Sequence, residues 1–211
     1  MRVTKYEHAC LDITEGTNRL VIDPGELSPS FTDVKNISVL VVTHVHGDHL
    51  DLEKVDAIVS ENPDLKIFGT SEVAGKLKGW VVTVPELGKS YSVGPFNLEF
   101  FGDLHEMVDP KTPQAQNIGV LINNELYYPG DSFAVCPKPF KVLAVPKSGP
   151  WFRVSDSLQL FENSNCQLVF PTHDGLLNEI GHGSINNWFK LFAERNDKKY
   201  RPLKIGESLE I

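Results

Sequence analysis

Residues 37–43, ISVLVVT, are apolar or β-branched at nearly every position and run straight into His44-Val45-His46-Gly47-Asp48-His49. A strand that reads as a continuous apolar run is one buried on both faces. The chain must therefore cover a sheet from two sides, and it must place a dense polar cluster where that sheet ends. Period two sets His44 and His46 on one side while the backbone stays extended. Gly47 permits a sharp turn that aims Asp48 and His49 towards a nearby point. Imidazole and carboxylate are the ligands a borderline divalent ion such as zinc prefers. Four such groups in six residues suit two adjacent ions better than one tetrahedral ion. A solvated histidine-rich turn is the plainer alternative, but loops that follow buried strands often carry function.

The flanking pattern predicts the layers. RVTKY, ACLDIT and RLVIDPG read as short strands, the last stopped by Asp-Pro-Gly. After the cluster, Leu52, Val55, Ile58 and Val59 recur at helical spacing. KIFGT, WVVTV, YSVG and FNLEFFGD read as strands, with a short helix in TSEVAGKLKG. NIGVLIN and ELYYPGD form a hairpin through Asn123 and Asn124. VLAVP and CQLVFPT are strands separated by a helix capped by Ser155. SINNWFKLFAERN is an amphipathic helix with Ile185, Trp188, Phe189 and Phe192 on its buried stripe. Consecutive short strands followed by alternating strands and helices, in two similar halves, predict an α/β protein. Its architecture is an αββα four-layer sandwich formed as one domain over residues 1–211. A doubly wound single sheet is the competing parse.

The 211 residues are 41% hydrophobic and 23% charged, with a formal net charge of −8. That balance disfavours nucleic-acid binding and anionic membrane surfaces. No apolar run reaches the roughly 20 residues of a membrane span. Cys10, Cys136 and Cys166 are odd in number and lack a CxxC pair, so reduced thiols and a cytoplasmic location are expected. Self-association is left open.

Further polar residues follow strand-like runs: His105 in FFGDLHE, Asp131 in YYPGDSF and His173 in VFPTHDG. Taken singly, each has a plainer use: a strand-edge histidine, a turn aspartate, a turn cap. Taken with HVHGDH, their order resembles that of the metallo-β-lactamase fold superfamily, whose signature is HxHxDH. VIDPG resembles the early strand ending of the same family. The resemblance covers nearly the whole chain and implies two divalent ions, zinc or manganese. By it, His44, His46 and His105 hold one ion, Asp48, His49 and His173 the second, and Asp131 bridges both. It also implies that water shared by the ions is deprotonated and attacks a small ester, lactone or phosphodiester, anionic substrates included, with Asp48 as a proton shuttle. Redox relatives of the flavodiiron type carry glutamate where this chain has His46. Secreted zinc β-lactamases usually lack the bridging aspartate. What remains is similar to the compact branch that includes L-ascorbate-6-phosphate lactonase.

Other residues stay open at this point. Asp23 either orients a ligand histidine or shapes the turn before Pro24. Lys147, Ser148, Trp151 and Arg153 lie in VLAVPKSGPWFRVSD, where a cation and an indole suit a phosphate or an acyl group. The same segment also reads as a surface turn on Gly149-Pro150. His8 is read as structural, and His182 as a pocket-rim candidate. A metal-binding sensor without turnover and a single-iron oxygenase are the alternatives from other classes.

Overall fold

The computed structural model describes residues 1–102 and 104–211. One sheet contains β1 (Arg2–Lys5), β2 (Leu11–Glu15), β3 (Asn18–Ile22), β4 (Ile37–Val42), β5 (Lys66–Gly69) and β6 (Val82–Thr83). The second contains β7 (Ser90–Val93), β8 (Phe96–Phe101), β9 (Gly119–Ile122), β10 (Leu126–Tyr128), β11 (Val142–Pro146), β12 (Leu168–Thr172) and β13 (Lys199–Tyr200). The last strand, β14 (Ser208–Glu210), returns to the first sheet beside β1, giving the order β14-β1-β2-β3-β4-β5-β6. The helices are α1 (Leu52–Glu61), α2 (Ser71–Lys76), α3 (Val154–Asn163) and α4 (Glu179–Arg195). None is long and apolar enough to cross a membrane.

Period two deals the strand residues into different layers. Leu20 and Ile22 of β3, with Val39 and Val41 of β4, point into the core between the sheets, where they join Leu98, Phe100, Val120 and Phe170 of the other sheet. Val21, Leu40 and Val42 face the opposite way and pack with Val55 and Ile58 of α1 and Val73 of α2. Leu143, Val145 and Val169 do the same beneath Leu160 and Phe161 of α3 and Phe189 of α4. This is the four-layer sandwich expected, and the single-sheet parse is excluded by the two separate strand orders. Both parallel segments, β3-β4-β5 and β10-β11-β12-β13, release their carboxyl ends at one edge of the sandwich.

Four local expectations need correction. WVVTV yields only the two-residue β6, because this edge has one pairing partner and leaves Val81 90% exposed. The N-cap of α3 is Arg153, without a side-chain cap; the Ser155 hydroxyl donates to Asp156 instead. α4 begins at Glu179, because the Asn178 side chain accepts the Gly181 N–H and caps the Gly-rich EIGHGS segment into the helix. Trp188 is exposed, since the buried stripe of α4 centres on Phe189.

Candidate metal centre

The centre begins where β3 ends. Asp23 takes a left-handed conformation, φ 48°, and is completely buried. Its Oδ2 accepts hydrogen bonds from the Thr43 hydroxyl (2.7 Å), His49 Nδ1–H (2.7 Å) and the Tyr128 hydroxyl (3.0 Å), and its Oδ1 accepts the Thr43 N–H (2.8 Å). The turn role and the orienting role left open above are thus filled by one side chain.

The DPG loop also carries the histidine turn. Glu26 N–H donates to Gly47 C=O (2.8 Å), and a Cβ on Gly25 would lie 1.9 Å from the Asp48 carbonyl oxygen. Gly25→Ala is therefore expected to displace the Asp48–His49 backbone. Reduced metal affinity should be visible by calorimetry while the far-ultraviolet circular dichroism stays native; unchanged affinity would refute the packing argument. Gly47 contributes clearance as well, since a Cβ there would sit 2.8 Å from Glu26 Oε1. The turn closes with His49 N–H and Leu50 N–H both donating to His46 C=O, at 3.0 and 2.8 Å.

Four imidazoles are held by Nδ1, which points Nε2 at the centre. Thr43 gives its hydroxyl proton to Asp23, so its oxygen accepts from His44 Nδ1–H at 3.0 Å. His49 donates to Asp23, His105 to Glu106 C=O, and His173 to Ser148 C=O at 2.7 Å. Such partners fix tautomer and ring orientation in metal sites. His46 is solvent-exposed at the mouth of the centre.

Asp131 sits in the middle, 1% exposed. Its Oδ1 lies 3.1 Å from His49 Nε2, and its Oδ2 lies 3.0 Å from His173 Nε2, 3.3 Å from His105 Nε2 and 3.7 Å from His44 Nε2. Asn117, which the sequence reading passed over, positions it. The Asn117 carbonyl oxygen accepts the Asp131 N–H (3.0 Å), and its amide donates to Pro129 C=O (2.9 Å).

Donor atoms within 4.8 Å of one another fall into three groups: His44, His46 and His105; His8, Asp48, His49 and His173; and His44, His49 and Asp131. All seven residues singled out by sequence are thereby brought together. His8, read as merely structural, joins them from the far end of the chain. Gly175 N–H donates to its Nδ1 (3.1 Å), so Nε2 carries the proton and donates to Asp48 Oδ2 (3.0 Å). His8 is thus a donor that orients Asp48. Burial lowers its pKa and keeps it neutral for that task, against the pull of Asp48. A histidine in EHAC, immediately ahead of a buried strand, was the available signal.

The test for a metal is whether these polar atoms have any other use. Among the described residues, His44 Nε2, His49 Nε2, His173 Nε2 and Asp131 Oδ1 are buried and make no well-formed hydrogen bond; His49 and His173 meet Asp131 only as close charge contacts. Unpaired buried polar atoms are costly, and converging in one place they are a donor set for cations. Electrostatics agree. Burial drives His44 well below the usual imidazole range, with His49 adding to the effect. Burial also opposes charge on His49 and His173, but Asp131 outweighs it, aided by Asp23 at His49 and by Asp48 at His173. His49 is held well above its ordinary value and His173 is raised to about 9. Asp131 is held well below the carboxylate range, because His49 and His173 overcome its own burial.

The substrate-contact candidates separate. Trp151 is buried and walls the centre, its ring 5.6 Å from His105 and 5.4 Å from His173. Ser148 is turned away from open space, its hydroxyl bonded to His173 C=O. Lys147 lines a neighbouring cavity with Lys5, His8, Asp174 and His182. Arg153 is exposed and pairs with Asp156 at 2.8 Å.

Comparison with known proteins now decides the family. Residues 2–173 match the model of the Beta-lactamase superfamily domain. The chain belongs to the β-lactamase superfamily. It is 26% identical to Protein Rv0786c of Mycobacterium tuberculosis over 182 residues, covering 84% of this chain and 85% of that one. It is 24% identical to a UPF0173 metal-dependent hydrolase of Flavobacterium johnsoniae, with 100% of both chains covered. The fold is similar to that of Igni18, a metallo hydrolase from Ignicoccus hospitalis, with TM-score 0.72, 17% identity, and 100% of this chain and 98% of that one covered. Family membership and the assembled donor set make the chain a metal-dependent hydrolase of this superfamily.

Proposed function

We propose that the chain is a dinuclear hydrolase of a small ester, lactone or phosphodiester. In this reading His44, His46 and His105 hold one ion, Asp48, His49 and His173 hold the second, and Asp131 is shared. The observation that carries it is the set of buried Nε2 atoms that, among the described residues, lack a well-formed hydrogen bond and face one shared carboxylate. Zinc is the metal assigned, on an imidazole-rich donor set, with manganese as the alternative. Divalent ions held by these residues would supply Lewis acidity, lowering the pKa of water and polarising a substrate oxygen.

The protein's own residues do the rest. Thr43, Asp23, Glu106 and Ser148 hold the imidazoles in the Nε2-facing tautomer. Asp48, partly exposed and held by the His8 hydrogen bond, would take a proton from the nucleophile and pass it to the leaving group. Trp151 walls off one side of the reacting centre. The substrate class follows the compact branch that includes L-ascorbate-6-phosphate lactonase. The three free, buried cysteines support a cytoplasmic placement.

Zinc titration of metal-free protein tests this reading. About two equivalents should bind and restore hydrolysis of lactone or phosphodiester probes, and one equivalent or none would overturn it. Protons should be released as well. His173, raised to about 9, is protonated at pH 7 without metal, and ligation needs a bare Nε2. Apparent affinity should therefore increase as pH rises from 6 towards 9.

A further inference from the structure

Behind His8 lies a cavity of about 850 Å³, the size of a small-molecule site. Its walls are largely apolar, with Leu203, Ile205, Leu177 and Pro171 among them. Of its three lysines, Lys204 is solvent-exposed, while Lys5 and Lys147 are buried, 2% and 1% exposed. Lys5 is matched: its ammonium is 3.0 Å from Asp174 Oδ1 and also donates to Tyr6 C=O. Lys147 is not. Its hydrogen-bond partner is His182 Nδ1 at 2.9 Å, and among the described residues no carboxylate lies within 4.0 Å of its nitrogen. An ammonium has three donors, so the bond to His182 leaves others unused beside an apolar space. Buried charge without a counter-charge is costly. Burial pushes Lys147 down to about 8, partly offset by Asp174, so it still carries its charge at neutral pH.

We propose that this cavity binds a small monocarboxylate with an apolar body, its carboxylate on Lys147, as the non-reacting end of the substrate. Binding stands independently; its assignment to substrate rests on the hydrolase reading above. Lys204 is hydrated at the surface, so among the described residues Lys147 is the one buried cation of the lining without a carboxylate, and it calls for one negative charge. A phosphate dianion would bring a surplus into a site that Glu7 and Glu26 also line. His8 connects the two places, since it lines the cavity and donates to Asp48. A ligand anchored at Lys147 and extending past His8 would present its other end to the metal centre.

Octanoate, octanol and octyl phosphate titrated calorimetrically into metal-free protein at pH 7 test the binding. Octanoate should bind at least about tenfold tighter than octanol, the scale of a charge-assisted hydrogen bond, and tighter than octyl phosphate. Lys147→Met should remove the octanoate preference; if that variant does not fold, the comparison in the unaltered protein decides. Equal binding of octanoate and octanol would overturn the site, and tighter octyl phosphate binding would overturn the monocarboxylate assignment. Esters with and without a terminal carboxylate, given to zinc-loaded protein, test the substrate role. A higher kcat/KM for the carboxylated ester supports it, and equal values overturn it. Octanoate binding without hydrolysis of either ester would sink the hydrolase reading while leaving the site intact.

Discussion

Asp131→Ala is expected to disable both halves of the metal centre together. The carboxylate lies within 3.3 Å of the Nε2 atoms of His49, His105 and His173 and within 3.7 Å of His44, so it touches both of the proposed ligand sets. Its removal leaves converging imidazoles with no anion to offset a dication. It also removes the main influence that raises His49 and His173 against their burial. Metal content by elemental analysis should fall from about two ions to fewer than one. Turnover should drop at least about a thousandfold, well beyond the 10–100-fold typical of outer partners. Asp131→Asn keeps the volume and the backbone bond to Asn117 but not the charge, so it should behave nearly the same. Retention of two ions with near-normal turnover would remove Asp131 from the bridging role.

Asp23→Ala should produce the largest loss of stability. Asp23 and His49 are both fully buried, and three further donors converge on the same carboxylate. Alanine leaves the His49 Nδ1–H, the Tyr128 hydroxyl and both Thr43 donors unpaired in the interior. Breaking a buried charge-assisted network of this kind costs about 3–5 kcal/mol, which should move the urea midpoint well down. Metal affinity should fall too, because His49 and, through Thr43, His44 lose the bonds that fix their tautomers. Asp23→Asn separates the two effects. It fills the space and can still accept from His49, so stability should largely return while metal affinity recovers less. A urea midpoint unchanged in Asp23→Ala would contradict this account.

Legibility from sequence followed the range of the forces involved. The continuous apolar run of β4 announced a strand covered on both faces, and Leu40 and Val42 do pack outward while Val39 and Val41 pack inward. Asn123 and Asn124, both at φ 53°, make the hairpin turn expected of them. The helix start at Glu179 was missed because glycines weaken local propensity, while the Asn178 cap acts through geometry. Asn117 was missed because its function is a hydrogen bond to a residue 14 positions away, across a hairpin whose register cannot be read from composition.

The sequence by itself determined the donor types, their order along the chain and the strands that precede them, because side-chain period and turn chemistry are local properties. Only the tertiary structure decided which nitrogen of His44, His49, His105 and His173 faces inward. That depends on acceptors such as Asp23 and Ser148, which reach their histidines across 26 and 25 positions. It also brought His8 to Asp48 across 40 positions and set Lys147 against His182, across 35 positions. These outcomes depend on how the two sheets close over one another, and burial then makes each polar atom find a partner within reach.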